Sequence, residues 1–327
     1  MAIEGARHGS ILVVGGTHGN ERNAPWLLEQ WARNPASLKD CGFQLQLVQG
    51  NPAALAAGKR YLDRDLNRCF DPHLLDSDRA QGLEVDRARE LLQRHGPAGL
   101  QPTLVAIDLH STTASMGNSL VLYGRRPADL ALAAGVQRRL GLPVYLHEGD
   151  ATQTGFLVEC WPCGLVVEVG PVPQGVVQAR ICEQTQLALE AIVAVLSEAA
   201  GVDVQPLPWA DQLVVFRHLG SVDLPRHGDG TPAACLHPSL NGRDWQPLAL
   251  TDPVFLGLDG RTITLAQCLD ARLAAQTPLW PVFINEAAYG EKGIAFSLTH
   301  REVWPVSGDW HGALRELAQG LQRGDPL

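Results

Sequence analysis

The sequence predicts an α/β fold, with a mixed sheet flanked by helices and a smaller C-terminal β-rich domain. Up to about residue 200, short apolar runs alternate with stretches of helical spacing. Such alternation is typical of a sheet with helices on both faces. From about residue 205 the pattern changes to short strands separated by turn residues. We therefore predict two domains, residues 1–205 and 206–327.

The elements of the first domain follow from apolar periodicity. Helices are predicted over the segment NAPWLLEQWARN and over about 84–95, 127–140 and 177–199. The predicted strands are ILVV, FQLQLVQG, TLVAIDLH, SLVLYG, PVYLHE and GLVVEVG.

The second domain begins after a Pro-containing segment at about 203–210. The segment PVFLGLDGRTITL contains Asp259 followed by Gly260, a pair that predicts a hairpin turn. The other predicted strands lie in QLVVFRHLGSVDLP, AACLHP and PVFINEAAYGEKGIAFSL.

Composition excludes several classes of function. The 327 residues are 45% hydrophobic, which is enough for a large core, and the net charge is -9. Because Lys and Arg form no cluster, we expect neither nucleic acid nor a membrane surface as partner. The first ten residues lack the apolar stretch of a signal sequence, so a cytoplasmic location is expected. A single C-W-P-C pair among seven cysteines does not predict a metal or redox site.

The loop after the first strand contains a candidate metal-binding pair, His18 and Glu21. Ligands bind at the carboxyl ends of strands in open α/β sheets. Glycines in the same loop also suggest phosphate binding, but neither G-x-G-x-x-G nor a Gly-Lys-Ser/Thr ending is present. Since H-x-x-E is a short motif, it does not establish a metal site alone.

A second candidate lies in VAIDLHSTT, where a strand ends in Asp108 and His110. Strand alternation places both side chains on one face. With His18 and Glu21, His110 would complete a set of two histidines and one carboxylate, and such a set leaves a coordination position open, as in catalytic zinc sites. Asp108 would orient an imidazole from behind. The alternative for His110 is a hydrogen-bonded histidine at a strand end.

Glu168 interrupts the apolar strand GLVVEVG. Burial of a carboxylate disfavours its charged form unless the group is paired or used. Near an activated water, Glu168 would serve as general base. The alternative is a buried salt bridge.

Two polar segments supply candidate substrate contacts. KRYLDRDLNRCF contains Arg60, Asn67 and Arg68, and arginines can stabilise an oxyanion or grip a carboxylate. INEAAYGEKGIAF places Tyr289 and Lys292 on a turn between strands. For both segments the alternative is an ordinary solvent-exposed face.

The order of motifs along the chain resembles the aspartoacylase/succinylglutamate desuccinylase family over about residues 10–300. The resemblance implies a zinc-carboxypeptidase-like catalytic domain followed by a β-rich domain. It also implies an amidohydrolase that cleaves N-acyl amino acids with one zinc ion per subunit. The motifs that carry it are GGTHGNE, N-P-x-A, RYLDRDLNR, DLHSTT, EVGPVPQGV, LHPSLNGRDWQPL, TDPVFLGLDG and INEAAYGEK.

Matched residue by residue, the resemblance implies zinc ligands at His18, Glu21 and His110. Glu168 matches the family's general base, and Arg60 the residue that polarises the scissile carbonyl together with zinc.

The same matching implies three substrate contacts. Asn67 and Arg68 resemble the binders of the substrate carboxylate, and Tyr289 a contact that the second domain lends to the site. The expected reaction converts N-acetyl-L-aspartate to acetate and aspartate. The resemblance is also compatible with a homodimer.

One departure concerns the amino-acid pocket. Aspartoacylases are expected to carry a further Arg and a nearby Tyr before the EVGP strand, but residues 140–179 contain no Lys or Arg and residues 146–288 no Tyr. Either Lys292 supplies the missing charge, or Phe156 and Trp161 shape a less polar pocket. The alternative functions are an acylase for other N-acetylated amino acids, such as aromatic ones, a succinylglutamate-type desuccinylase, and a non-catalytic binding protein on the same scaffold.

Overall fold

The computed structural model of the chain describes residues 10–38, 42–77, 80–150, 153–202 and 207–323. Residues 203–206 of the predicted linker at about 203–210 lie outside these residues. Helices of more than one turn cover the predicted stretches, and the eight described α-helices are α1 Asn23–Arg33, α2 Pro52–Ala57, α3 Pro72–Leu75, α4 Leu83–His95, α5 Pro127–Leu140, α6 Ala179–Ala200, α7 Ala271–Ala274 and α8 Gly308–Arg323.

A mixed sheet of nine strands forms the centre of the molecule, and a three-stranded sheet lies in the C-terminal part. The described strands are β1 Ser10–Gly15, β2 Gln44–Gln49, β3 Thr103–Ser111, β4 Gly117–Tyr123, β5 Val144–His147, β6 Cys163–Gly170, β7 Gln212–Val222, β8 Cys235–Leu236, β9 Pro253–Leu256, β10 Thr262–Thr264, β11 Trp280–Val282 and β12 Phe296–Pro305. The predicted α/β class with a smaller β-rich part is confirmed.

The order of the large sheet is β11-β12-β7-β5-β4-β6-β3-β1-β2. Strands β1, β2, β3 and β6 run parallel, whereas β4 is antiparallel to β6. β7 pairs with β5, so the sheet continues past residue 205 into β7, β12 and β11. The domain boundary near residue 205 therefore stays a prediction.

The core has three parts. Helices α1, α5, α6 and α8 cover one face of the large sheet, and their apolar sides form the largest buried cluster. A second cluster lies on the opposite face around Leu12, Phe70 and Trp161, and a third around the small sheet. The predicted hairpin is confirmed, since β9 and β10 pair antiparallel across the turn at Asp259 and Gly260. Among the described residues, no helix is both long and apolar enough to cross a membrane.

Close packing fixes the loop between β1 and α1. Gly19 donates its backbone N–H to the carbonyl oxygen of Arg60 at 3.1 Å. A Cβ atom at this position would lie 2.1 Å from the backbone carbon of Ala54 in α2. Only glycine allows the loop to approach α2 this closely, and the loop carries His18 and Glu21.

We predict that Gly19→Ala lowers the free energy of unfolding by about 1–3 kcal/mol, because the added methyl group must displace backbone atoms. Denaturant unfolding measures the change. Gly312→Ala is the matched control. Gly312 is an exposed residue of α8, and a Cβ atom added there would meet no atom within 4 Å. That control should be neutral or stabilising by up to about 1 kcal/mol. Equal stability of Gly19→Ala and wild type would contradict the packing argument.

Candidate metal centre and active site

Three adjacent strands bring the predicted metal ligands together. In the order β6-β3-β1, each strand ends at the same edge of the sheet and continues into a polar residue or loop. His18 and Glu21 follow β1, and His110 is the last residue but one of β3. One ligand atom from each of the three residues lies within 4.8 Å of the others.

The carboxylate of Glu21 lies between the two imidazoles. Its Oε1 is 2.6 Å from Nδ1 of His18 and its Oε2 is 3.1 Å from Nδ1 of His110. The backbone N–H of Ser111 donates to the same Oε2 at 2.9 Å. Although burial raises the pKa of Glu21, the two imidazoles outweigh this effect and hold it below its usual range.

Each histidine forms a hydrogen bond to a carboxylate through the ring nitrogen that faces away from Glu21. Nε2 of His18 is 2.9 Å from Asp65, and Nε2 of His110 is 2.7 Å from Asp108. Thr17 donates its hydroxyl to Asp108 at 2.7 Å. With each Nε2–H bonded to a carboxylate, each Nδ1 lone pair is directed toward Glu21, which is the arrangement that metal-ligating histidines require.

The donor set therefore fits a divalent metal ion. Two imidazole nitrogens and one carboxylate converge in a buried place, and the ring orientations are fixed. Burial lowers the pKa of His110, but Asp108 and Glu21 raise it well above its ordinary value. Negative charge around the ring thus favours a positive charge at this point, either a proton or a metal ion.

Glu168 lies beside this cluster. It occupies β6 directly opposite His110 of β3 in the parallel pair. Its Oε2 is buried and has no hydrogen-bond partner among the described residues. Burial raises the pKa of Glu168 to about 8, and Glu21 and Glu286 add to this effect against His110 and Arg60. The predicted alternative of a buried salt bridge does not occur within the described part of the chain.

Arg60, Asn67 and Arg68 reach the same cavity from an irregular segment. The Arg60 guanidinium lies 3.5 Å from Glu21 and 3.2 Å from Asp65. Asn67 accepts a hydrogen bond from the Leu157 backbone through Oδ1, so its NH₂ group remains for other contacts.

Comparisons with known proteins agree with this geometry. Residues 8–196 match the family model described as "Succinylglutamate desuccinylase/Aspartoacylase catalytic domain", and residues 211–301 match the "AstE/AspA barrel-sandwich hybrid domain". The chain belongs to the succinylglutamate desuccinylase/aspartoacylase family. The resemblance inferred from the motifs is confirmed.

Individual relatives support this family membership. The chain is 59% identical to a probable aspartoacylase of Synechococcus sp. (strain CC9605), over 94% of this chain and 97% of that protein. It is 55% identical to a probable aspartoacylase of Prochlorococcus marinus (strain MIT 9313), over 94% and 97%. The crystal structure of murine aminoacylase 3 superposes with a TM-score of 0.80 at 35% identity, covering 93% of this chain and 98% of that one.

In this member of the succinylglutamate desuccinylase/aspartoacylase family, nearly all predicted site residues line one cavity. Tyr289, on a short 3₁₀ segment after β11, lines it, and burial raises the pKa of its hydroxyl. Lys292 instead lines the adjoining cleft, with Nζ 3.5 Å from Asp65. The predicted residues that line the cavity are His18, Glu21, Arg60, Asn67, Arg68, His110, Phe156, Glu168 and Tyr289.

The suggestion that Trp161 shapes the pocket is wrong. Trp161 is 1% exposed and belongs to the second core cluster. Its indole N–H donates to the hydroxyl of Thr103 at 2.7 Å, which satisfies its polar atom inside the core. Phe156 does line the cavity, stacked on Tyr123 at 3.6 Å between ring centroids and beneath the Arg68 guanidinium.

Sequence reasoning missed the carboxylate that organises the arginine segment. Glu84, at the start of α4, is fully buried. It accepts backbone hydrogen bonds from Leu62, Asp63 and Arg64 and a side-chain bond from Asn51. The three backbone bonds hold residues 62–64, which precede the short 3₁₀ helix Leu66–Arg68, and the Asn51 bond ties Glu84 to the start of α2. The available signal was a Glu at a helix position that the apolar periodicity assigns to the buried side.

We predict that Asp65→Ala weakens divalent metal binding by about 10–100-fold, because His18 loses the partner that sets its tautomer and orientation. Competition against a chelator measures the affinity. Glu29→Ala is the control, since Glu29 is a half-exposed carboxylate on α1 that pairs with Arg33. Unchanged affinity in Asp65→Ala would remove Asp65 from the support of the metal centre.

Proposed function

We propose that the protein is a zinc-dependent amidohydrolase that cleaves the amide bond of N-acyl amino acids. The observation that carries the proposal is the position of Glu168 beside the His18, Glu21 and His110 donor set. Its carboxylate is half-buried, and the buried Oε2 has no hydrogen-bond partner among the described residues. Two imidazoles and one carboxylate suit zinc and leave a coordination position open. When bound, zinc would supply a Lewis acid for the carbonyl and for the attacking water.

Glu168 carries a proton from the attacking water to the leaving nitrogen. Glu168 takes a proton from the attacking water, whose oxygen bonds to the acyl carbon. The same carboxyl group then returns that proton to the leaving nitrogen as the C–N bond breaks. Arg60 lies beside Glu21 and stabilises the negative oxygen that develops on the former carbonyl. The acid product then releases the second proton of the water and the liberated amine takes one up, so the products are a carboxylate and an amino acid with a protonated amine.

The substrate carboxylate binds on the side of the cavity formed by the arginine segment. The guanidinium of Arg68 and the free NH₂ of Asn67 both face the cavity. Gln153 and the ring of Phe156 hold Arg68 in place. Tyr289, which also lines the cavity, contributes its hydroxyl. A planar guanidinium and an amide together suit a carboxylate.

N-acetyl-L-aspartate is the first proposed substrate. The cavity already contains Arg60 and Arg68, and the Lys292 ammonium lies in the adjoining cleft near Asp65. These cations support binding of a second carboxylate, and the curated relatives are named probable aspartoacylases. The products would then be acetate and aspartate.

An N-acetylated aromatic amino acid is the second candidate. The stacked rings of Tyr123 and Phe156 form an aromatic wall of the cavity. Such a wall suits an aromatic side chain without a second charge.

A substrate panel with measured metal content tests the proposal. The zinc-loaded protein should hydrolyse N-acetyl-L-aspartate faster than N-acetyl-L-phenylalanine or N-succinyl-L-glutamate. Burial lowers the pKa of Lys292 to about 8, so its positive charge is lost as the pH rises through that value. The preference for aspartate should therefore decline above pH 8. A chelated sample is the control, and no turnover of any acyl amino acid by the zinc-loaded protein would overturn the proposal.

We predict that Glu168→Gln retains stoichiometric zinc but loses activity by about 10²–10⁴-fold, since only the proton acceptor is replaced. Metal analysis and steady-state kinetics on the same preparation separate the two effects. Turnover like that of the wild type would contradict the general-base role. Loss of zinc together with activity would instead place Glu168 among the metal-binding groups.

A further inference from the structure

A second polar cluster lies beside the cavity, and two of its three residues, Tyr145 and His147, line it. It consists of Tyr145 and His147 on β5 and His218 on β7. The two strands are parallel neighbours with Leu146 opposite Arg217, so the next residues, His147 and His218, come side by side. Their ring centroids are 5.0 Å apart.

One hydroxyl group connects both imidazoles. The Tyr145 oxygen lies 3.2 Å from Nδ1 of His147 and 2.9 Å from Nδ1 of His218. A phenol has a single proton, so it can donate to one Nδ1 and must accept from the other. When the phenol donates to one of these two nitrogens, that histidine carries its proton on Nε2, and the other carries its proton on Nδ1 and presents a bare Nε2. The Ser297 side chain also interacts with the Tyr145 hydroxyl.

The cluster is buried and uncharged at neutral pH. Tyr145 is 4% exposed, and His147 and His218 are each 8% exposed. Burial and the neighbouring His218 lower the pKa of His147 to about 4, against raising contributions from Asp150 and the Gln153 backbone. Burial also lowers the pKa of His218 and raises that of Tyr145.

His147 connects the cluster to the cavity. Its ring lines the cavity beside Phe156, with ring centroids 5.5 Å apart. Its Nε2 is buried and has no hydrogen-bond partner in the described part of the chain. A buried polar nitrogen without a partner costs free energy, which a hydrogen bond from a bound molecule would recover.

We propose that His147 is a specificity-determining residue whose Nε2 hydrogen-bonds an oxygen atom on the side chain of the bound acyl amino acid. Tyr145 and His218 are positioning residues that fix its tautomer. The proposal rests on the proposed amidohydrolase function and deepens it. In this assignment Tyr145 donates to Nδ1 of His147 and accepts from Nδ1–H of His218, so the His147 proton lies on Nε2. A neutral donor then recognises a carboxylate or carboxamide, next to a segment, residues 140–179, that contains no Lys or Arg.

The first test compares N-acetyl-L-aspartate and N-acetyl-L-asparagine with N-acetyl-L-leucine, a substrate of similar size without the polar group. In His147→Leu, we expect KM for the two polar substrates to rise about tenfold relative to that for the leucine compound, while kcat changes little. His147→Gln should restore part of the difference because its amide retains a donor and an acceptor. His73→Leu, at an exposed position on α3, is the control.

A uniform loss across all three substrates would overturn the specificity role, because a merely structural residue affects them equally. Tyr145→Phe should reduce the same selectivity ratio, since the tautomer is no longer fixed. An unchanged ratio in that variant would overturn the positioning role.

Nitrogen-15 NMR of histidine-labelled wild-type protein tests the inference without a variant. The resonances of His147 and His218 should report opposite tautomers, and Nε2 of His147 should shift with L-aspartate but not with L-leucine. Equal tautomers or no selective shift would overturn the inference even if amide hydrolysis is observed. Absence of hydrolysis together with the selective shift would overturn the proposed function alone.

Discussion

The balance of buried charge around one cavity governs this structure. Carboxylates from five parts of the chain surround the site, and the cations in direct contact with them are Arg60 and Lys292. Burial lowers the pKa of His110, but Asp108 and Glu21 raise it overall, whereas burial, Glu21 and Glu286 all raise the pKa of Glu168. A divalent ion held by His18, Glu21 and His110 would offset part of this negative charge. The five carboxylates belong to Glu21, Asp65, Asp108, Glu168 and Glu286.

The supports of the site differ in how they are built. His110 and Glu168 stand on paired strands, where the sheet register alone sets their separation. Arg60 and Asn67 stand on an irregular segment, whose backbone donors need partners when buried. Glu84 provides these partners, and Gly19 locks the neighbouring loop against α2. A substitution of Glu84 or Gly19 would therefore displace the Arg60 guanidinium or the His18 imidazole while leaving the sheet intact.

The sequence predicts the part of the site that depends on strand ends. His18, His110 and Glu168 follow or interrupt apolar runs, and the rule for ligand sites in open sheets brings such ends together. The path of residues 60–68 could not be predicted, because Asp65 and Glu84 act across 47 and 20–22 residues of sequence respectively. The prediction that Trp161 lines the pocket was wrong because the sequence does not show that Thr103 accepts its N–H inside the core.

The pairing of β7 with β5 was also beyond sequence patterns. Periodicity identifies both strands but not their adjacency, so His218 could not be associated with Tyr145. Within β5, however, Tyr145 and His147 alternate at a strand end as Asp108 and His110 do in β3. The same reasoning that identified the candidate metal ligands therefore applies to this pair as well.

The two proposed devices for side-chain recognition differ in physical character. A cation such as Lys292 attracts any carboxylate over several ångströms and loses its effect when it loses its proton. A neutral imidazole held by Tyr145 acts only at hydrogen-bond distance and therefore recognises position rather than charge. A site built to hydrogen-bond a polar group rejects analogues that lack it, because its own buried nitrogen is then left without a partner. In a cavity already rich in carboxylates, a neutral donor adds selectivity without further changing the charge that the metal centre requires.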